Sequence, residues 1–313
     1  MTMIPDRAAA APASVSRTEA DQLMRWATYA SVGTALLLIA AKVFAYLVTD
    51  SVSLLSTLLD SLLDAAASLV NLVAVRQSLV PADREHRFGH GKAEPLAALG
   101  QSTFIAGSAV FLIVQAAGRL ISPHPLEHTE VGIAVMAVSI VVTLALVIFQ
   151  RTVIRRTGSL AIKADSLHYA SDLVVNASVV VALVLASVYG WRRADPIFGI
   201  GISAYILYTA WQIAHHALDM LMDRELPDAE RKRIRAIATA NPGVLAVHDL
   251  RTRTAGRTIF VQLHLEVDGS LTLLQAHEIA DAVEAEIQAA FPDAEIIIHE
   301  DPAGIAERRQ VFR

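Results

Sequence analysis

Long apolar stretches separated by short polar interruptions fill roughly the first two thirds of the chain, and a pattern of shorter period follows. Windows 96–118, 131–150 and 196–218 contain no Asp, Glu, Lys or Arg. Window 173–191 is equally clean, and the spacing lets its helix start near Leu160. Windows 23–48 and 53–75 are interrupted in their interiors only by Lys42 and by the pair Asp60 and Asp64. A bilayer crossing needs about 20 mostly apolar residues, so the pattern predicts six transmembrane helices. Residues 1–22 lack the basic-then-apolar order of a signal peptide and read as a flexible tail before a transmembrane domain over 23–222.

Beyond Leu221 the pattern becomes that of a small soluble domain over 223–302, followed by a loose tail, 303–313. Pro227 and Asp228 open a charged helix that Asn241, Pro242 and Gly243 stop near Ala240. Segments 244–253 and 258–267 read as strands joined at Ala255 and Gly256. In the second, Ile259, Val261, Leu263, Leu265 and Val267 alternate with Phe260, Gln262, His264 and Glu266. A helix over 271–290 and a strand over 294–299 complete an αββαβ order, which predicts a three-stranded sheet covered by helices on one face.

Composition narrows the chemistry. Of 313 residues, 54% are hydrophobic and 18% charged, against about 25% charged in soluble domains, and the mean hydropathy is +0.46. The absence of cysteine excludes disulfides, iron-sulfur clusters and thiolate zinc sites, leaving carboxylate and imidazole to hold any metal. A formal charge of -5 gives no support for nucleic-acid binding. Basic residues set the orientation, because Lys and Arg near membrane ends stay in the cytoplasm. Arg7, Arg17 and Arg25 lie before or at the start of the first span, Arg76, Arg84, Arg87 and Lys92 follow the second, and Arg151, Arg155, Arg156 and Lys163 follow the fourth. Only Arg119, Arg192 and Arg193 mark the opposite side, so both termini are expected in the cytoplasm.

Charge inside the spans is the feature that asks for a function. Asp60 and Asp64 lie in span two; His168 and Asp172 lie in span five, with Asp165 nearer its start. Each i, i+4 pair shares one helical face, about 40° apart. An ionised Asp at a helix centre costs about 2.5 to 3.5 kcal/mol on insertion scales, so three of them need compensation. Lys42 could pair with one carboxylate and leave the others protonated in a wet cleft, but one lysine does not neutralise three. If the two faces meet, three carboxylates and one imidazole converge, a set that suits Zn²⁺ and leaves Fe²⁺, Mn²⁺ and Cd²⁺ open, while the lack of sulfur argues against copper(I). Such ligands must lose protons to take a metal, so metal and H⁺ displace each other. Exposing the site first to one side and then to the other makes that exchange an antiport.

Two further groups carry metal-ligand chemistry. Asp83, His86 and His90 lie in the loop after span two, where Gly89 and Gly91 indicate a tight bend; the spacing serves equally well for an ordinary loop. The soluble domain holds His248, His264, His277, His299 and Asp301, more imidazole than a solvated surface usually carries. His124, His128, His215 and His216 have no evident partner, and His277-Glu278 lacks the second His of a zinc-protease helix.

With these residues assembled, the chain resembles the cation diffusion facilitator family. The likeness is carried by Leu59-Asp60-Ser61-Leu62-Leu63-Asp64, by Phe88-Gly89-His90-Gly91-Lys92-Ala93-Glu94 and by Ala164-Asp165-Ser166-Leu167-His168-Tyr169-Ala170-Ser171-Asp172, and it runs from about Leu23 to Asp301. The resemblance implies a homodimer of six-span protomers with metallochaperone-like cytoplasmic domains in a bacterial inner membrane, exporting Zn²⁺ and related ions such as Fe²⁺ and Cd²⁺ in exchange for protons. It implies a transport site of Asp60, Asp64, His168 and Asp172, a loop site of Asp83, His86 and His90, and a binuclear zinc site of His248, His264, His277, His299 and Asp301. It also implies an interlocking pair, Lys92 with Asp223. Glu300 departs from the pattern, since close relatives carry glutamine there.

Two other classes compete with a transporter. Paired intramembrane acids suit an aspartyl protease, but that chemistry places its two Asp on separate helices sharing a proton and has no use for His168. A metal-sensing membrane protein signalling through its soluble domain would bind metal without flux.

Overall fold

The structure of the protein, a computed structural model, describes residues 16–49, 52–121, 130–189 and 193–305. The side chain of Asp60, the segment holding His124 and His128, and most of both expected tails lie outside the described set. The chain divides into two compact units, one built from residues up to Leu79 together with Ala93–Ala217, the other from Val80–Lys92 together with the chain from Leu218.

The first unit is helical: α1 (Arg17–Thr49), α2 (Val52–Ser78), α3 (Ala93–Ile121), α4 (Glu130–Thr157), α5 (Leu160–Tyr189) and α6 (Ala194–Leu221). Even the shortest, α2 with 27 residues, rises about 40 Å, more than the roughly 30 Å hydrocarbon core of a bilayer. Among the described residues, four stretches are long and apolar enough to cross a membrane: Arg17–Val48, Ala93–Gly118, Ala137–Thr157 and Pro196–Leu221. The six helices match the six apolar windows, and α2 and α5, outside the set of four, are the ones with acids toward their middle.

Small side chains let these helices approach closely, the packing mode expected where no water drives association. Ala27 of α1 and Ala161 of α5 join Met24, Val75 and Val153 in one buried cluster, and Ala109 of α3 meets Ile206 and Ala210 of α6 in another. Large apolar side chains face outward instead, among them Trp26, Phe44, Phe111, Val114 and Trp211. A surface of this kind is suited to lipid.

Local chemistry sets the helix ends beyond what the apolar windows indicate. Window 131–150 grows into a longer α4 because the chain does not turn until Gly158, whose φ of 68° is a left-handed conformation that glycine adopts at little cost. Its N–H donates to the Ile154 carbonyl at 2.8 Å. The next helix begins at once, since Glu94 of α3 accepts from the Leu160 and Ala161 N–H groups at 2.6 and 3.4 Å and Ser159 Oγ accepts from Ile162 N–H at 3.2 Å. A carboxylate at a helix start satisfies orphan donors and opposes the positive end of the dipole.

In the second unit α7 (Asp228–Ala240), β1 (Ala246–Ala255), β2 (Thr258–Val267), α8 (Leu273–Ala290) and β3 (Ala294–Pro302) follow the αββαβ order. The sheet runs β1-β2-β3, antiparallel in the first pair and parallel in the second, with α8 as the crossover. Val261, Leu263 and Leu265 of β2 pack with Ile234 of α7 and Val283 and Ile287 of α8, so one sheet face is covered by helices. Alternation turns Phe260, Gln262, His264 and Glu266 to the other face.

That other face is partly covered by Val80–Lys92. The Phe88 ring meets Phe260 edge-on at 5.7 Å, and the Arg253 guanidinium lies 4.1 Å from the centre of one ring and 5.0 Å from the other. A Cβ at Gly91 would overlap the Ala255 carbonyl oxygen at the β1–β2 turn. Lys92 Nζ lies 2.9 Å from Asp223 Oδ1 and donates to the Leu221 carbonyl at 3.3 Å. With both side chains well exposed, the ion pair by itself adds little, and the packing of Phe88 and Gly91 holds the loop.

Leu263→Ala, at a buried position, should destabilise this unit by about 2–5 kcal/mol, read from chemical unfolding. Gly91→Ala should leave that core intact but release residues 80–92 to proteolysis; unchanged protease resistance would contradict the close approach to Ala255.

Candidate metal centres

On α2 and α5 the i, i+4 spacing becomes a cluster. His168 Nε2 lies 3.0 Å from Asp64 Oδ1 and 3.9 Å from Asp172 Oδ2. One ligand atom from each of Asp64, His168 and Asp172 lies within 4.8 Å of the other two. His168 Nε2 is buried, and among the described residues these carboxylate oxygens are its close polar neighbours. Two ligands about 2.0–2.1 Å from one tetrahedral ion are themselves about 3.3 Å apart, and the observed distances bracket that value. Asp60 belongs to α2 one turn before Asp64, and its side chain is outside the described residues.

The surrounding helices hold this cluster through buried polar contacts. Asp165, fully buried one turn before His168, accepts from Gln101 Nε2 of α3 at 3.0 Å and Gln150 Nε2 of α4 at 2.7 Å. Tyr169 donates to the Ser31 carbonyl of α1 at 3.3 Å and shares a 2.8 Å hydrogen bond with Ser68 of α2. Lys42 of α1 donates to Ser61 of α2 at 2.6 Å. The two glutamines and the serines were not singled out in the sequence; the available signal is a carboxamide or hydroxyl in an otherwise apolar helix face.

In the loop, Asp83 Oδ1 accepts from the N–H groups of His86 at 2.6 Å and Glu85 at 2.9 Å. The Asp83 N–H donates to the His86 carbonyl at 3.2 Å, closing a tight turn, and Gly89, with φ of 75°, continues the bend. His86 Nδ1 comes within 3.3 Å of Asp83 Oδ1 and His90 Nε2 within 3.5 Å of Oδ2. The backbone N–H of His86 holds the Asp83 carboxyl below the usual carboxylate range. Its contribution to the turn is therefore present above about pH 4 and is lost as pH falls through the lowered value.

On the open face of the sheet, register builds the third group. His248 pairs with His264 across β1 and β2, and His264 with His299 across β2 and β3, so three imidazoles form one row. A bulge makes this alignment compatible with the core: Asp249 at φ 46° and Leu250 together oppose Leu263, so Leu250 turns inward while His248 and Arg251 both keep the open face. This irregularity is absent from the strand pattern read in the sequence, and β1 runs over Ala246–Ala255 in place of 244–253.

Asp301, almost wholly buried, stands between the imidazoles. Its Oδ2 lies 2.8 Å from His264 Nδ1 and 3.3 Å from His248 Nε2, and its Oδ1 lies 3.2 Å from His299 Nε2. Buried Asp301 Oδ1 and His248 Nδ1 make no hydrogen bond, a donor set that fits metal coordination better than a closed polar network. Glu266 Oε1, 3.4 Å from His248 Nε2, is a further ligand candidate that the sequence reading missed; the signal was its place two residues after His264. His277 is apart from this group, exposed on α8 with Nε2 3.6 Å from Asp281 and Nδ1 4.0 Å from Glu300.

Replacing Asp83 with Asn should weaken metal binding by the loop about tenfold or more, measured by titration of full-length protein. Undiminished affinity in Asp83→Asn would remove the loop as a site.

Comparison with known proteins bears on the whole chain. Residues 28–222 match the family described as the cation efflux transmembrane domain, and residues 226–303 match the cation efflux protein, cytoplasmic domain. Cation-efflux pump FieF of Klebsiella pneumoniae subsp. pneumoniae is 51% identical over 289 residues, covering 92% of this chain and 96% of that protein. The pump of the same name from Shewanella oneidensis is 49% identical, with 93% and 98% covered, and that of Salmonella arizonae is 50% identical, with 92% and 95% covered. These relatives are named as pumps, which sets aside the protease reading. A helical membrane unit with acids inside two of its helices, a small three-stranded α/β domain and near-complete overlap with such pumps place this chain in the cation diffusion facilitator family, as a membrane-embedded cation-efflux transporter.

Proposed function

We propose that the protein is a proton-coupled antiporter that moves Zn²⁺, and related ions such as Fe²⁺ and Cd²⁺, out of the cytoplasm across a bacterial inner membrane. The observation that carries the reading is the buried Nε2 of His168 at 3.0 and 3.9 Å from two carboxylates on the helices that bear acids in their middle. Asp64, His168 and Asp172, with Asp60 one turn away, would receive the ion. Each ligand sheds its proton on metal entry and regains it on release, so alternating exposure of the site exchanges metal for H⁺. Basic residues at the ends of α2 and α4 support cytoplasmic termini.

The soluble unit is assigned a regulatory role in a homodimer. The match over residues 226–303 to a cytoplasmic dimerisation domain supports it. His248, His264, His299 and Asp301, with His277 nearby on α8, would hold resident Zn²⁺, which supplies a fixed positive charge and a cross-link between strands. The loop residues Asp83, His86 and His90 would hold a further ion, and Lys92 with Asp223 would tie the loop to the start of the soluble unit. Ligand atoms near a subunit contact give differential binding energy between two dimer arrangements.

Purified protein in vesicles with an acid interior should accumulate Zn²⁺ as protons leave. Asp64→Ala or Asp172→Ala should reduce that influx by about a hundredfold, the scale of losing one essential charged group; influx unchanged in either variant would refute the assignment. Repeating the assay with Fe²⁺, Cd²⁺ and Mn²⁺ over a pH series ranks the ions, and its steepness counts protons. Substituting His248 and Asp301 together should abolish the zinc dependence of an inter-protomer distance, whereas an unaltered zinc response would sink the regulatory role.

A further inference from the structure

A positive charge also lies inside the helical unit. From Trp26 to Thr49 of α1, Lys42 is the only charged residue. A lysine near the end of an apolar span snorkels, laying its stem along the helix and carrying its ammonium out to the membrane surface. Lys42 does the opposite. It stands seven residues, about 10 Å, before the end of α1 at Thr49. Its Nζ nevertheless donates at 2.6 Å to Ser61, which lies nine residues, about 14 Å, inside α2 from the start at Val52. The two helices run antiparallel, since Ser31 of α1 meets Ser68 of α2 at 3.0 Å. The ammonium is therefore directed deeper than its own backbone.

That depth brings it beside the acids of α2. Buried Ser61 follows Asp60 directly and precedes Asp64 by three positions, a spacing at which helical side chains are neighbours, with Cβ atoms about 5–6 Å apart. Asp64 in turn lies 3.0 Å from His168. An ion taken by Asp64 and His168 would thus have a fixed cation at about 10 Å. At an effective dielectric near 20, a unit charge about 10 Å from a doubly charged ion alters its affinity by more than tenfold.

The charges of the site give this cation a use. Asp60, Asp64 and Asp172 together exceed the charge of a divalent ion by one, and Lys42 supplies that one. Carboxylates alone hold the ion; a cation beside them loosens it. We propose that Lys42 is a release residue of the transport site: its ammonium, tethered by Ser61 beside the acids of α2, opposes the bound divalent ion and keeps its affinity low enough for the ion to leave. The role rests on the antiporter reading, with Asp60 as a ligand. A plain hydrogen bond between α1 and α2 is the competing role, and substitution separates the two. Glutamine keeps a donor at that place and loses the charge, methionine loses both, and arginine keeps both.

Full-length protein in detergent is titrated with Zn²⁺ at constant pH, and the binding event lost in Asp172→Ala is the one followed. Lys42→Met and Lys42→Gln should each tighten that event by about tenfold or more, while Lys42→Arg should keep the unsubstituted affinity. In vesicles the two neutral variants should show a lower KM together with a lower kcat, the pattern of an ion held more tightly and released more slowly. Lys42→Gln decides alone should the methionine variant fail to fold. Unchanged or weakened binding in Lys42→Gln would overturn the proposal and leave the transport site standing. If Asp172→Ala removed no binding event, the transport site itself would fall, and the role of Lys42 with it.

Discussion

The constraint on which the helical unit depends is the cost of carboxylates among apolar helices. Each ionised acid at membrane depth must find a cation, a donor set or a proton. Asp165 is satisfied entirely within the protein, its two oxygens taken by Gln101 and Gln150, and so it ties α3, α4 and α5 at one point. Asp64 and Asp172 are treated differently. They converge on a buried imidazole nitrogen. The bundle thus separates one acid closed within the protein from two that face an imidazole.

The same separation explains the polar contacts around the cluster. Tyr169 engages Ser31 and Ser68, joining α1, α2 and α5 beside His168 without touching its Nε2. Glu94 caps the start of α5 and fixes that helix against α3. The ligand-bearing stretch of α5 is thus anchored before Asp165, at Asp165 and at Tyr169, while Asp172, one turn beyond His168, is more open. Rigid support on one side of a site and openness on the other suit an ion that must enter and leave.

Much of this is legible in the sequence, for definable reasons. Apolar windows of about 20 residues have few alternatives to membrane helices, and the period-two run of β2 names the core face of the sheet before any coordinates. Helix ends are less legible, because the α4–α5 break depends on Gly158 and on a cap supplied by Glu94, far away in sequence. The register of β1 is hidden by the bulge at Asp249 and Leu250, which no alternation signals. Residues 80–92 read as a free loop, yet Phe88 and Gly91 dock onto Phe260 and Ala255 through contacts that only the folded chain creates. Spacing likewise puts His277 on α8 without saying that Asp281 and Glu300 are its neighbours.

The ligand groups differ in a way that follows from their surroundings. Among the described residues, the helical unit brings two carboxylates to one imidazole, whereas the loop brings one carboxylate to two imidazoles and the sheet sets Asp301, with Glu266 beside it, among three. A doubly charged ion amid apolar helices is least costly when its ligands cancel its charge, because the field of a net charge is poorly screened there. Near water that requirement relaxes, and neutral imidazoles hold the ion through bonding with less electrostatic help. Negative ligands also bind protons most readily when the metal leaves, so the carboxylate-rich set is the one suited to exchange. Under the proposed function the imidazole-rich sets suit retention, and the ratio of Asp to His at each place would divide cargo from resident ions.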